Sequence, residues 1–270
     1  MVTPVRTFAL AVLVIAIASG AAAQGAMRTV GAKTLGAGLF EAGVGAEYAS
    51  KASAPFPGAP RTLWRVPSVS LRWGAADNVD VRFDWSGRLL ARYEGGVSGS
   101  DWGDPVVSTV ITAVAEGETR PALGLRTAVK LPSTSYMPYY LGSDQTDFSF
   151  ALLASRHLGQ SEFRVNLGLG IIGNPRELGS QDDIYTASAA LLVPLADDLG
   201  IFGELYGESG YKEDDDKLLV RSGVSGTTGC WRLELHGAVR VAGTGWDFGP
   251  AFSASEDWSI GFGFARRIAL

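Results

Sequence analysis

From Leu39 onward, apolar and polar residues exchange places with a period of two, the signature of a strand with one apolar and one solvated face. The clearest run sets Val79, Val81, Phe83 and Trp85 against Asp80, Arg82, Asp84 and Ser86. Phe40, Ala42, Val44, Ala46 and Tyr48 likewise oppose Glu41, Gly43, Gly45 and Glu47, and Leu123, Leu125, Thr127, Val129 and Leu131 oppose Gly124, Arg126, Ala128 and Lys130. Phe163 to Ile171 and Trp231 to Val241 repeat the pattern, and Trp258, Ile260, Phe262 and Phe264 close it. No long apolar helix interrupts the series. The pattern predicts an all-β fold, a transmembrane up-and-down antiparallel β-barrel. About thirteen candidate segments can be drawn, whereas single-chain bacterial barrels have an even number. The expectation is therefore about 12 strands, with 14 as the alternative and the surplus segment placed beyond Trp231.

Connection lengths alternate, as a barrel with short periplasmic turns and longer outer loops requires. Tight turns are expected near Gly74–Asn78, Glu116–Thr119, Leu158–Ser161, Ala196–Leu199 and Gly226–Gly229. Long loops are expected near 50–62, 87–103, 132–145, 173–183 and 209–217. A turn centred on Ala76 would set Arg72 opposite Asp80, Ser70 opposite Arg82 and Ser68 opposite Asp84, gathering the polar pairs on one face. Turning that face to lipid would place Arg82 in hydrocarbon at about 2–4 kcal/mol near midplane, so it is expected to look inward. The same phase makes Glu41, Glu47, Arg72, Asp80, Arg82, Asp84, Arg126, Lys130, Arg164, Glu204, Arg232, Glu234 and Arg240 candidate lumen-lining residues. Both signs occur in similar number, so strong ion selectivity is not expected. Trp73, Trp85, Trp231, Trp246 and Trp258 fall near strand ends, where aromatic rings favour the headgroup level.

The first residues change the picture from strand protein to exported strand protein. Arg6, an apolar core from Phe8 to Ala18 and the small residues Ser19 to Ala23 form a signal-peptide pattern. Residues 1–23 are read as a cleaved signal, 24–34 as a short N-terminal lead and 35–270 as the barrel. Cys230 is the single cysteine; it excludes an intramolecular disulfide and is expected to pack as a small apolar filler beside Trp231. The formal net charge is −5 without a basic patch, which argues against nucleic acid. The acidic run Glu213 to Asp216 reads as a solvated loop.

Several short motifs resemble the outer-membrane proteins of the MetA pathway of phenol degradation. They are Gly103-Asp104 opening a strand, Leu125-Arg-Thr-Ala-Val-Lys-Leu-Pro132, Gly142 to Asp147, Glu204-Leu-Tyr206, and Arg72-Trp-Gly74 followed by Asn78-Val79. The resemblance implies an exported barrel, porin-like and related to transport, and brings no catalytic residue with it.

For chemistry, only His157 and His236 are available as imidazole bases, and no nucleophile elbow, metal-ligand spacing or phosphate loop is present. No enzyme activity, cofactor or metal is expected. The predicted function is a passive channel for small solutes, aromatic or apolar compounds among them, with Tyr136, Tyr139 and Tyr140 as a candidate access site in an outer loop or, equally, an anchor on the headgroup layer. The alternatives are a non-conducting structural or surface-interaction barrel and a lipid-modifying barrel enzyme. Expected partners are outer-membrane lipid, the barrel-assembly machinery and small-molecule solutes in a Gram-negative-type envelope. Oligomeric state is not readable from the chain.

Overall fold

The computed structural model describes residues 27–52, 60–173, 179–210, 216–243 and 256–269. Fourteen strands follow one another: β1 (Leu39–Ala52), β2 (Arg61–Ala76), β3 (Val79–Trp85), β4 (Arg88–Tyr93), β5 (Ser98–Trp102), β6 (Pro105–Val114), β7 (Ala122–Lys130), β8 (Asp147–Leu158), β9 (Ser161–Gly173), β10 (Gln181–Ala196), β11 (Leu199–Gly210), β12 (Lys217–Thr228), β13 (Trp231–Gly243) and β14 (Trp258–Ala269). All pair antiparallel. β1 meets both β14 and β2, so the sheet closes on itself. Twelve strands make the wall; β4 and β5 are a hairpin that prolongs β3 and β6 beyond it.

That hairpin is the first correction to the sequence reading, which left 87–103 as a loop and sought the surplus segment in the tail. Among the described residues the tail from Trp231 makes two strands, β13 and β14. β2 is long enough to pair with β3 through Val69–Ala76 and with β4 through Arg61–Val66. The break between β3 and β4 falls at Ser86-Gly87. Gly87 has φ of 58°, and a Cβ there would lie 1.9 Å from the Pro67 carbonyl oxygen, so only glycine passes. Pro67 itself occupies a bulge, where β1 slips between Gly45 and Glu47, one of the few places a strand tolerates proline.

The second correction is the first hairpin. Its turn is Asp77-Asn78, with an irregularity between Gly74 and Ala76. Ser70 therefore faces Asp84, and Arg72 faces Arg82 rather than Asp80. The slip is two residues, so every side chain keeps its face while changing its Cα partner, and the Arg72 side chain still reaches Asp80 on the diagonal. The turns after β8, β10 and β12 are likewise two residues long, whereas β6 and β7 are joined by residues 115–121. Cys230 lies in the β12–β13 turn and is exposed, not packed. Of the acidic run, Glu213 to Asp215 lie outside the described residues.

Outside, the wall is apolar: Leu152, Leu167, Leu205 and Phe262 are each about half exposed (56%, 56%, 47% and 48%), as lipid-facing residues of a barrel must be. Aromatic rings border this belt. Trp73 and Trp231 lie toward the short turns, and Arg266 covers the Trp231 ring at 5.3 Å. Toward the long loops, Tyr48 packs against Trp64 (5.0 Å) and Trp258 (5.4 Å), while Trp85 stacks on Trp102 (5.6 Å). Trp64 and Trp73 lie nine positions apart on β2, roughly 30 Å of strand. A tilt of about 40° turns this into an apolar band of about 23 Å. Trp246 lies outside the described residues.

Candidate functional site in the barrel lumen

The inward face carries charge at a density that water would normally solvate, and here most of it is resolved into pairs across neighbouring strands. Arg72 donates to Asp80 at 2.6 Å. Arg232 bridges Glu41 (3.1 Å) and Glu234 (3.0 Å), with Arg267 also on Glu41 at 3.3 Å. Glu47 accepts from Arg65 at 2.8 Å and lies 3.6 Å from His236. Arg164, 1% exposed, donates twice to Glu162 at 2.9 and 2.7 Å. Lys130 meets Asp147 at 2.6 Å and Asp104 at 3.5 Å, and donates to Ser143 at 2.7 Å. Arg240 pairs with Asp257 at 2.6 Å. All thirteen lumen candidates lie on the inward phase, and ten of them belong to such pairs or, for Glu204, to the contacts described next.

Residues 27–38 are the element that periodicity did not reveal. They form no strand, but run as a strap along the inner wall near the short-turn end. Both the backbone N–H and the hydroxyl of Thr29 donate to Glu204, which also lies 3.9 Å from Arg221. Asn166 accepts from Val30 N–H (2.7 Å) and donates to Val30 O (2.8 Å), so its amide mimics a strand neighbour. Ala32 N–H donates to Ser155, Thr112 donates to Ala32 O, and Arg72 donates to Lys33 O. Leu35 N–H is shared by both Asp80 oxygens at 3.0 and 3.2 Å. The strap therefore hangs from wall side chains on β11, β9, β8, β6, β3 and β2, which supply the backbone partners it lacks. Met27 buries itself against Ala190, Leu192 and Phe202. Gly74 admits the strap's exit, since a Cβ there would lie 1.8 Å from Gly36 O.

Outside the membrane-spanning strands, Glu116 in the β6–β7 connection fastens the strap's polar edge. Its carboxylate accepts from His157 N–H (2.6 Å), pairs with Lys33 (2.9 Å) and meets the His157 ring (2.8 Å). The backbone bond from His157 leads these effects, which hold its pKa down at about 2.

At the long-loop end, residues 131–146 fold back across the mouth. Asp104 accepts from Ser133 and Thr134 N–H, both at 2.7 Å, and Asp101 from Ser135 N–H at 2.8 Å. The carbonyls of Tyr139 and Tyr140 accept from Arg61, and Tyr139 O also from the Tyr93 hydroxyl. Tyr136 and Tyr140 meet edge to face at 5.0 Å. The Tyr139 ring lies against Gly99 of β5, and Leu141 and Tyr93 pack on an inward apolar cluster of Ala49, Ala52, Leu63, Leu89 and Ala91. The tyrosines thus cover the inner side of the hairpin extension.

Between strap and loop a cavity of about 170 Å³ remains, with Met27, Arg28 and Val30 of the strap, Ser68 and Ser70, and inward residues of β3, β7 and β12–β14 in its lining. Arg82, Asp84 and Arg126, the three candidates outside the ion pairs, all line it. Sequence reasoning missed Arg65 and Arg221 in the same cavity. The bulge at Pro67 breaks the phase around Arg65, and the leucines Leu218 and Leu219, one outward and one inward, blur it ahead of Arg221.

No family model matches the chain, and no curated protein does. Among solved structures, it is similar to an outer membrane channel from Pseudomonas putida F1. The identity is 14%, with 91% of this chain and 99% of that one covered at a TM-score of 0.66. It is also similar to the translocator domain of the autotransporter NalP from Neisseria meningitidis, at 13% identity, 86% and 89% coverage and a TM-score of 0.53. The fold is that of the outer-membrane β-barrels.

Proposed function

We propose that this chain is an outer-membrane barrel through which small solutes pass passively, and that the strap is the narrowest barrier in their path. The observation that carries this reading is the strap itself. It is held to the wall by side-chain hydrogen bonds instead of a strand ladder, and it borders a polar cavity on the long-loop side. The tyrosine loop over an apolar inner cluster favours aromatic or partly apolar solutes, in keeping with the resemblance to the MetA-pathway barrels. Phenol itself is not assigned.

A non-conducting barrel is the second reading, favoured by the dense inward ion pairs. Planar-bilayer conductance decides between them. The refolded chain lacking residues 24–35 is expected to give larger discrete steps than the full mature chain. Silence from both, with insertion confirmed by heat-dependent gel migration, would leave the non-conducting reading.

A further inference from the structure

We infer that the lumen cavity is a binding site for a small organic monocarboxylate, its charged end held between Arg82 and Arg126 and its apolar body resting on Met27 and Val30. The proposal deepens, and rests on, the reading of the lumen as reachable by solute.

Positive charge is left over in the cavity. Arg82 and Arg126 project into the cavity from β3 and β7, and among the described residues neither makes a hydrogen bond or an ion pair. The Nε of each is buried without a partner. The surrounding carboxylates are already engaged: Asp80 by Arg72 and Leu35 N–H, Glu47 by Arg65, Glu234 by Arg232 and Glu204 by Thr29. Arg28 stands over the Tyr206 ring at 4.8 Å. Arg72, directly opposite Arg82 in the ladder, adds a third guanidinium to the same stretch of wall. Asp84 also lines the cavity and forms no ion pair within 4.0 Å among the described residues.

Arg82, Arg126 and Arg28 outnumber Asp84 in the lining, so positive charge is in excess there, the complement of an anion. Guanidinium matches carboxylate through two parallel N–H bonds. Size points the same way, since a cavity of about 150 Å³ accommodates a benzene ring and this one is about 170 Å³. Its lining includes the apolar Met27, Val30 and Val106 beside the charges, a mixture suited to an organic acid.

Isothermal titration of the refolded mature barrel in detergent with benzoate, benzamide and inorganic phosphate tests this. Benzoate is expected to bind, and Arg82→Gln or Arg126→Gln to weaken it roughly ten- to a hundredfold. Arg82→Lys should recover part of the loss. Benzamide, isosteric and uncharged, should bind at least about tenfold more weakly. Equal binding of benzoate and benzamide by the unaltered protein would overturn the proposal without recourse to any variant. So would phosphate binding as tightly as benzoate, or folded glutamine variants that keep full affinity. Binding of benzoate by a barrel silent in bilayers would leave the site standing and remove the passage reading; conduction without benzoate binding would do the reverse.

Discussion

Single residues in the lumen are held by partners rather than by burial alone, and Asp80 is the clearest case. It is fully buried, neutralises Arg72 and caps Leu35 of the strap. Asp80→Ala would take from the buried Arg72 guanidinium its carboxylate counter-charge, and unfolding in urea followed by tryptophan fluorescence should record a loss of about 3–5 kcal/mol. Replacing both partners, Asp80→Leu with Arg72→Met, should cost clearly less, because no charge is stranded. Glu116 makes the strap sensitive to acid. Its pKa is lowered from 4.5 to about 2, so its contribution is fully present above the unfolded value and is lost as pH falls through the folded one. Hydrogen-exchange protection of the strap amides, corrected for intrinsic rates, should decline between about pH 4.5 and 2. In Glu116→Gln it should be low and flat across that window.

At the level of elements, even-numbered slips are the ones that alternation cannot detect. The first hairpin keeps Arg82 and Asp84 inward whether Ser70 meets Arg82 or Asp84, so sequence could orient the strand without aligning it. In a Cys230→Ser background, Ser70→Cys with Asp84→Cys should crosslink readily, since these are Cα partners. Ser70→Cys with Arg82→Cys should not, because diagonal Cα atoms lie beyond disulfide reach. The outward face makes a separate prediction. Leu167, at the middle of β9 and 56% exposed, should cost about 2–4 kcal/mol as Leu167→Arg in bilayer-supported unfolding. Thr186→Arg on the inward face of neighbouring β10 would not face hydrocarbon, so any loss there should not vary with lipid thickness.

For the whole molecule, two elements bear on what the lumen can do: the strap near the short turns and the tyrosine loop at the long-loop mouth. Among the described residues they lie toward opposite ends of the lumen, and the cavity is lined by the strap and the wall. Orientation follows from turn length. Cys230, exposed in a two-residue turn, should resist an impermeant maleimide in intact cells and react once the outer membrane is opened. Labelling in intact cells would reverse the assignment of both ends.

Alternation of side chains is a property of each strand by itself, which is why the amino-acid sequence determined the barrel class and the inward phase of residues as distant as Glu41 and Arg240. The aromatic borders and the two-residue turns are local signals of the same kind. Partners are not local. Whether Asp80 or Arg82 stood opposite Arg72 in the ladder depended on one irregularity near Gly74, although the Arg72 side chain reaches Asp80 all the same. Whether residues 87–103 were loop or hairpin depended on the length of β2 available to pair with them. The strap has no period to read, because its backbone is satisfied by Glu204, Asn166 and Asp80 from strands far along the chain. The tertiary structure alone decided which charges cancel, and therefore that Arg82 and Arg126 remain facing an open cavity.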